Sequence, residues 1–188
     1  VSLDKINKLT KQGFLEPCKS DLEIKHAVAD QIENYIQNNV HQLILQVTQN
    51  CNLRCKYCVY SGSYVNRMHT KKRMSIGTAK KAIDFYHKHN GNLDTAMISF
   101  YGGEPLLEMK LIHEIIAYAN KVFKGKNIKY NMTTNATLLN DEIVRFLYEN
   151  DINLTISLDG PQAVQDNSRV FAESGKGTFD VIMKKLDC

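Results

Sequence analysis

Apolar residues recur at helical spacing near the start of the chain. Three of them lie between Ser2 and Gly13, a residue suited to end a helix, and these positions predict a first helix there. A second helix is predicted from Ser20 and Glu23, which form a capping box ahead of a longer apolar stripe. No residue of either helix carries recognisable chemistry. We therefore predict that residues 1–40 form an N-terminal helical extension.

Beyond this extension, short apolar runs alternate with longer stretches of helical spacing. The four runs predict the strands Leu43–Thr48, Asp94–Tyr101, Ile128–Thr134 and Ile152–Leu158. The helical stretches begin near Ser75, Pro105, Asn140 and Thr178. Strands separated by helices form βαβ units on a parallel α/β sheet, and four units are too few for a closed barrel of eight. The pattern fits a partial barrel or an open doubly wound sheet, and no repeat in the sequence separates the two.

Length, composition and charge exclude several classes of protein. The chain has 188 residues and a formal net charge of +4, with positive and negative residues interspersed. A chain of this length buries enough surface for a core of its own, which excludes a disordered protein and a disulfide scaffold. The charge is too small and too evenly spread to predict a nucleic-acid partner. The sequence shows no membrane-spanning apolar run and no signal peptide, so we predict a cytoplasmic protein without a membrane partner.

Residues with distinctive chemistry follow all four predicted strands. A cysteine-rich loop follows the first strand, Gly102–Pro105 follows the second, Thr134 and Asn135 end the third, and Ser157–Pro161 ends the fourth. In parallel α/β folds the loops at the carboxyl ends of the strands converge on one edge of the sheet, where catalytic groups lie. We therefore predict a single site built from these four loops.

The cysteine-rich loop predicts a metal centre. Cys51, Cys55 and Cys58 lie within eight residues of each other in a chain with five cysteines. Three thiolates on a short loop can hold three irons of an iron-sulfur cube or fill three positions of a zinc tetrahedron. Neither remaining cysteine has a suitable spacing for a fourth ligand, and His69 is more typical of an ordinary surface residue. One metal position is therefore predicted to be open for a small molecule.

The spacing Cys51-x-x-x-Cys55-x-x-Cys58, with Tyr57 before the last cysteine, resembles the signature of the radical S-adenosylmethionine (SAM) enzymes. The segment Gly102-Gly103-Glu104-Pro105 is similar to a second motif of that family. The resemblance implies that the cysteines hold three irons of a 4Fe-4S cluster and that the amino and carboxylate groups of SAM chelate the fourth. One electron from the reduced cluster then cleaves SAM to methionine and a 5′-deoxyadenosyl radical, which takes a hydrogen atom from the substrate.

The same resemblance implies that residues 41–188 form the first part of a partial (β/α)6-type TIM-like barrel. About four βα units of that barrel are expected in this sequence. The fifth and sixth strands, which help to hold the adenine in the family, and any auxiliary-cluster domain are not among these residues. We therefore expect the chain to be a fragment of a longer enzyme.

The remaining loop residues resemble family positions around SAM. Glu104 is expected to accept a hydrogen bond from the SAM ammonium group, and the two glycines before it are expected to let the backbone approach the ligand. Tyr60 is similar to a family tyrosine near the adenine. The expected cofactor-binding residues are Tyr57, Tyr60, Gly102, Gly103, Glu104, Asn135, Ser157, Asp159 and Arg169. Each also has an ordinary structural interpretation, such as a strand-to-helix turn, loop packing or a satisfied strand end.

Several segments together resemble the peptide-modifying, SPASM-type subgroup of the family. These are Gly-Gly-Glu-Pro, Thr-Asn-Ala-Thr-Leu-Leu and Ser-Leu-Asp-Gly-Pro. The loop from Tyr60 to Arg67 is similar to that of maturases of ribosomally made, often cysteine-containing peptides. One departure is Gln165-Asp166, where the subgroup often has His-Asp, and it argues against a protonatable role at position 165.

The resemblance implies a radical SAM oxidoreductase that abstracts hydrogen from a precursor peptide or protein and forms a crosslink such as a cysteine thioether. The alternative within the family is an anaerobic sulfatase-maturating enzyme, which oxidises a Cys or Ser to formylglycine. An electron donor such as flavodoxin or ferredoxin is the expected partner protein. The alternative from a different class is a zinc-binding interaction domain.

Overall fold

A computed structural model describes residues 2–14, 26–61 and 66–186 of the protein. Contacts divide the chain into two compact units, 1–33 and 34–188, a division that lies earlier than the sequence-based boundary at residue 40. The first unit contains the predicted first helix, α1 (Leu3–Lys11), with Ser2 at its N-cap. Helix α2 (Ile32–Asn38) follows a short 3-10 turn. The predicted capping box at Ser20 and Glu23, like Cys18 and Cys188, lies outside the described residues.

The second unit is built on four parallel strands. They are β1 (Gln42–Thr48), β2 (Thr95–Gly102), β3 (Asn127–Thr134) and β4 (Ile152–Ile156), and they lie side by side in chain order. All four predicted strands are confirmed, but β4 ends at Ile156 rather than at Leu158. The Ser157 amide still donates to the Thr134 carbonyl at 2.9 Å, after which the chain turns and the Leu158 amide donates back to Ile156.

The four predicted helices are α3 (Ile76–His89), α4 (Met109–Val122), α5 (Asp141–Glu149) and α7 (Phe179–Leu186). Three of them begin where the sequence predicts them, whereas α4 begins at Met109 because a 3-10 turn, Pro105–Glu108, comes before it. Two of these starts are fixed by side-chain caps, because Ser75 accepts from the Thr78 amide and Asn140 accepts from the Ile143 amide. Helix α6 (Gln162–Ser168) was not predicted; its seven residues are too few to show an apolar stripe.

One hydrophobic core joins the sheet to these helices. Alternate strand residues, among them Val47, Ile98 and Met132, pack against buried positions of α3, α4, α5 and α7. A doubly wound sheet carries helices on both faces and a reversal of strand order. Here the strand order is sequential and the four helices share a single core, which is the arrangement of a partial barrel.

The opposite face of the sheet carries polar side chains. Ser99 on β2 accepts hydrogen bonds from Gln42 at 2.6 Å and from Asn131 at 3.3 Å. Asn131 in turn accepts from Asn153 on β4 at 3.3 Å. This uncharged row of side chains crosses all four strands on the face that corresponds to the barrel interior.

A segment that begins at the last residue of α6 packs along the cysteine loop. This return segment, residues 168–172, accepts hydrogen bonds from the Arg54 and Lys56 amides at 2.8 and 2.9 Å. The amide of Ala172 donates in the other direction to the Asn52 carbonyl at 2.9 Å. The return segment therefore adds a short antiparallel pairing to the cysteine loop. No helix in the described parts of the chain is long and apolar enough to cross a membrane.

Candidate functional site

A cavity of about 280 Å³ opens at the carboxyl edge of the sheet. Its wall contains the three clustered cysteines together with residues from the ends of all four strands, as the sequence predicts. Eight of the nine expected cofactor-binding residues line it, namely Tyr57, Tyr60, Gly102, Gly103, Glu104, Asn135, Ser157 and Arg169. Asp159 lies just behind the wall, where it contacts Tyr57 and Arg169. The four loops therefore converge on one place.

Backbone groups orient two of the three sulfur atoms. The Leu53 amide donates to the Cys51 sulfur at 3.3 Å, and the Tyr60 amide donates to the Cys58 sulfur at 3.5 Å. Arg54 steadies the same loop, because its guanidinium donates to the carbonyl oxygens of Cys51 and Leu53 at 2.8 and 2.7 Å. The loop is thus held by its own backbone and by a buried leucine at its centre.

The three thiols suit a metal centre that takes a ligand from outside the protein. All three are free and border the cavity, and thiolates are the usual ligands of iron-sulfur clusters. Within the described residues, no three His, Cys, Asp or Glu side chains converge on a single-ion site. Burial raises the pKa of Cys51 to about 11, and it also raises the pKa of Cys55 against the opposing effect of Arg169. Metal binding must therefore displace protons from these thiols.

His69 lies in the wall of this cavity, although its sequence context is more typical of a surface residue. One ring nitrogen lies 2.7 Å from the Ser61 hydroxyl and the other 3.4 Å from the Gln49 carbonyl. Burial, together with the charge of Arg54, lowers the pKa of His69. Because both nitrogens already have partners, the ring positions the loop after Cys58 rather than offering a free ligand.

Glu104 connects the ends of β2 and β3. Only 1% of this residue is exposed, and its carboxylate accepts from the Thr134 hydroxyl at 2.6 Å and from the Asn135 amide at 2.8 Å. The Leu106 amide adds a third hydrogen bond at 3.0 Å. Burial raises the pKa of Glu104, and the three hydrogen bonds oppose that shift. A carboxylate has about four acceptor positions, so about one remains for a ligand.

Asn135 links the third strand end to the cysteine loop. Its side-chain amide donates to Asn52 at 2.9 Å and lies 3.9 Å from the Cys51 sulfur. Asn52 donates to the Thr137 hydroxyl at 2.8 Å, and that hydroxyl donates to the Asn135 oxygen at 2.7 Å. The sequence pointed to Asn135 but missed Asn52 and Thr137, which lie more than 80 residues apart in the chain and meet only in the fold.

The two glycines are required by the cysteine loop itself. A Cβ atom on Gly102 would lie 2.7 Å from the Thr48 carbonyl oxygen, and one on Gly103 would overlap the Asn50 carbonyl oxygen. The Gly103 amide donates to Thr48 at 2.9 Å, and the Glu104 amide donates to Asn50 at 2.9 Å. The backbone therefore approaches the end of β1 at these positions. The close approach to a ligand that the sequence suggested stays a prediction.

A charged cluster forms the side of the cavity next to Cys55. Arg169 donates to Asp159 at 2.9 Å, and its Nη1 lies 4.0 Å from the Cys55 sulfur. The Tyr57 hydroxyl donates to Asp159 at 2.7 Å, while the guanidinium lies over the Tyr57 ring. Burial opposes the charge of Arg169, but the ion pair and the neighbouring Cys55 and Tyr57 outweigh it and raise the pKa of Arg169. This side of the cavity therefore carries the charged guanidinium of Arg169, paired with the Asp159 carboxylate.

Tyr60 forms the side of the cavity next to β1. Its hydroxyl accepts a hydrogen bond from Gln46 at 2.6 Å, and its ring contacts His69 with centroids 5.7 Å apart. Gln46 lies on the polar face of the sheet and was not singled out by the sequence. The side chain of Tyr60 is thus fixed at the boundary between the cavity and the barrel interior.

Comparison with known proteins gives a consistent result. The sequence profile of the Radical SAM superfamily matches residues 45–187. A cysteine-type anaerobic sulfatase-maturating enzyme of Clostridium novyi (strain NT) is 30% identical over 151 residues, which cover 79% of this chain and 40% of that enzyme. The radical SAM cyclopropyl synthase TigE of Paramaledivibacter caminithermalis is 25% identical over 200 aligned positions, covering 98% of this chain and 40% of the synthase.

A solved structure agrees with the fold. Native anSMEcpe with bound AdoMet superposes with a TM-score of 0.67 and 25% identity, over 78% of this chain and 40% of that one. The superposition supports a partial TIM-like barrel with a parallel sheet. The chain spans about two fifths of the length of these relatives.

Proposed function

Because the chain belongs to the radical SAM superfamily, whose members use a 4Fe-4S cluster and SAM, we propose that Cys51, Cys55 and Cys58 hold such a cluster and that the protein cleaves SAM reductively. The observation that carries this proposal is the cavity in which three free thiols meet the ends of four parallel strands. A cluster held by these three cysteines would supply the electron for the cleavage of SAM, and bound SAM would supply the group that takes a hydrogen atom from the substrate.

Charges in the cavity wall suit the amino-acid part of SAM. Glu104 keeps about one acceptor position free for the ammonium group. Arg169 places a positive charge on the Cys55 side, where a carboxylate would be attracted, and Ser157 borders the same cavity. Tyr60, held by Gln46, offers a ring face to the adenosine part. These roles extend the residue assignments made from the sequence.

Anaerobic reconstitution tests the cofactor proposal. The protein is expected to take up about four irons, as a 4Fe-4S cluster requires, and to show a reduced-cluster EPR signal that shifts on addition of SAM. The variant Glu104→Gln should weaken that shift while leaving iron uptake intact. Iron uptake without any response to SAM would contradict the proposed SAM site but not the cluster site.

We propose further that the substrate is a peptide or protein and that the chain belongs to the peptide-modifying subgroup. The relative named for sulfatase maturation supports a protein substrate. The neutral row formed by Ser99, Asn131 and Asn153 supports it physically, because such side chains can pair with peptide amide groups. Since the chain spans about two fifths of its relatives, the complete activity is proposed for the whole protein.

Two candidate products of the reaction must be distinguished. A crosslink such as a thioether is our leading product, and formylglycine is the second candidate, favoured by the sulfatase-maturating relative. A cysteine-rich precursor peptide and a sulfatase peptide should be incubated with the protein, SAM and a reductant, and analysed by tandem mass spectrometry after thiol alkylation. A thioether removes two hydrogens and one alkylatable thiol. Loss of two hydrogens with every thiol still alkylated would contradict the thioether.

The electron is proposed to come from a donor protein such as flavodoxin or ferredoxin. Cys51 borders a second hollow of about 620 Å³, whose charged lining residues are Arg54, Lys71 and Glu173. The two cations outnumber the single carboxylate and suit the acidic surface of such a donor. A protein with reduced thiols and a low-potential cluster is also suited to the reducing cytoplasm, where we propose that it acts.

A further inference from the structure

Gln165 is a buried polar residue that the proposed function does not use. It lies on α6 with none of its surface exposed, and both ends of its side-chain amide are paired. Its oxygen accepts from the Asp159 backbone amide at 2.9 Å, and its nitrogen donates to the Thr178 hydroxyl at 2.9 Å. An unpaired amide at such a position would be costly, so these two partners determine how the side chain lies.

Thr178 extends this arrangement to the return segment. Its hydroxyl, also fully buried, donates to the Arg169 carbonyl oxygen at 3.1 Å. The Arg169 amide donates to the Gln165 carbonyl at 2.7 Å. A chain of three hydrogen bonds therefore runs from the Asp159 amide through the side chains of Gln165 and Thr178 to the Arg169 carbonyl. We call this chain of hydrogen bonds the relay.

The two ends of the relay are the two partners of the ion pair beside Cys55. Asp159 and Arg169 lie in different loops, and their side chains are only 22% and 15% exposed. The Tyr57 hydroxyl holds the Asp159 carboxylate beside the cavity, and the pairing of residues 168 and 170 with the cysteine loop holds the chain on either side of Arg169. The relay adds a constraint from the other direction, because it holds the backbone of both Asp159 and Arg169 through hydrogen bonds to α6 and to Thr178, which precedes α7.

We propose that Gln165 is a positioning residue which, with Thr178, holds the Asp159–Arg169 pair so that the guanidinium faces Cys55 and the cavity. The proposal rests on the proposed function, since its consequence is the affinity for SAM at that side of the cavity. A glutamine can serve here because the site needs one acceptor and one donor and no proton transfer. This accounts for an uncharged residue at position 165.

Two substitutions of similar shape test the relay in the anaerobically reconstituted protein. Gln165→Met removes both side-chain hydrogen bonds, and Thr178→Val removes only the hydroxyl. The SAM concentration that produces half of the shift in the reduced-cluster EPR signal is expected to rise roughly tenfold in each variant. This change corresponds to a loss of about 1.4 kcal/mol in the binding free energy of SAM. Because the relay acts in series, the double variant should show nearly the same change as either single variant. Additive changes would contradict a relay.

Matched controls separate positioning from general loss of stability. Gln162→Met makes the same change on the exposed side of α6 and should leave the response to SAM unchanged. A core substitution at Ile112, chosen to lower the melting temperature as much as Gln165→Met does, should also leave it unchanged. An equal loss of SAM response in the Ile112 variant would overturn the proposal.

Hydrogen exchange of the protein without iron provides a readout that needs no cofactor. In Gln165→Met, the Asp159 amide loses its acceptor and should exchange at least about tenfold faster, while amides within α3 keep their rates. Unchanged protection of Asp159 would overturn the relay. If the native protein binds no SAM, the proposed function fails, and this exchange measurement still decides whether Gln165 holds the backbone of Asp159.

Discussion

The two sides of the cysteine loop are held by different chemistry. Around Cys51 the side chains that join the loop to the residues after β3 are the uncharged Asn52, Asn135 and Thr137, while Arg54 donates to carbonyl oxygens of the loop itself. Around Cys55 they are charged, with Arg169 paired to Asp159 and lying near the sulfur. The first side fixes the loop by direction-dependent hydrogen bonds from the sheet. The second presents a charge to the cavity, at a position that depends on α6.

Because of this difference, we expect the Cys51 side to determine the stability of the loop and the Cys55 side to determine ligand affinity. Hydrogen bonds between neutral groups depend little on salt, whereas an ion pair that is partly exposed is weakened by it. We therefore expect changes beside Cys51 to act mainly on the stability of the loop. Changes beside Cys55 should act mainly on the affinity for an anionic ligand group.

The largest expected effect is the loss of iron uptake when a cysteine on either side of the loop is replaced. Cys51→Ala and Cys55→Ala each remove one of three thiol ligands and should reduce iron uptake from about four atoms per protein to nearly none. Iron analysis after anaerobic reconstitution measures this loss. Retention of a full cluster by either variant would show that the substituted cysteine does not bind iron. The comparison of the two sides would then have no common metal centre.

The next effect concerns the packing of the cysteine loop against β2. Gly103→Ala places a Cβ on the Asn50 carbonyl oxygen, which is backbone and cannot move aside alone. The substitution should cost about 1–3 kcal/mol of unfolding free energy, as overpacking commonly does, and should lower iron retention. Gly91→Ala is the matched control, because no atom of the described residues lies within 4 Å of the point where its Cβ would stand. Urea unfolding of the protein without iron compares the two, and equal losses would contradict this account of Gly103.

A pair of variants tests the comparison itself. Asn135→Ala removes the donor to the Asn52 side-chain oxygen and the acceptor of the Thr137 hydroxyl. It should cost about 1–3 kcal/mol, with little change between low and high salt. Asp159→Asn removes the charge that faces Arg169, so the stability difference from the native protein should shrink as salt is added. Unfolding curves at two salt concentrations measure both effects. A salt-dependent loss of stability in Asn135→Ala, or a salt-independent loss in Asp159→Asn, would contradict the account. It would mean that neutral contacts do not dominate beside Cys51, or that charged contacts do not dominate beside Cys55.

A smaller effect is expected at the second hollow, which Cys51 borders. Lys71→Glu reverses an exposed charge beside the second hollow and should slow cluster reduction by a flavodoxin roughly tenfold at low salt, because charge steering sets the association rate. Reduction by dithionite should not change. The same reversal at the distant, exposed Lys124 is the control. Equal rates for the Lys71 variant and the native protein would place the donor elsewhere.

The smallest expected effect depends on pH. Burial lowers the pKa of His69, so the unfolded chain binds a proton more readily than the folded one. Stability from this group is therefore present above the unfolded pKa of about 6.5 and is lost as the pH falls below it. The difference in unfolding free energy between pH 7 and pH 5 should be smaller in His69→Gln. An unchanged difference would assign the pH dependence to other groups.

Local signals explain why most of the fold was predictable. The strands and the helices α3, α4, α5 and α7 are defined by apolar spacing, and α3 and α5 are also defined by the side-chain caps Ser75 and Asn140. The return segment was missed because it is defined by pairing with the cysteine loop, more than 100 residues earlier in the chain. No local pattern marks such a pairing. Helix α6 was missed for a related reason, since its one buried residue is Gln165.

In the candidate site, too, residues with a local sequence signal were predicted and residues defined by long-range contacts were missed. The cysteine spacing, Glu104 and Arg169 were found because each stands out by residue type at the end of a strand or in a known motif. Asn52 and Thr178 are ordinary polar residues, and their importance comes only from partners brought close by folding. Sequence patterns thus locate the groups that meet a ligand. The groups that hold them in place require the folded structure.

The most direct test of the central claim is a count of iron after anaerobic reconstitution, with EPR spectra of the reduced protein with and without SAM. The account predicts about four irons per chain and a spectrum that shifts when SAM is added. One tightly held zinc, no iron uptake and no response to SAM would contradict it and would favour a zinc-binding interaction domain.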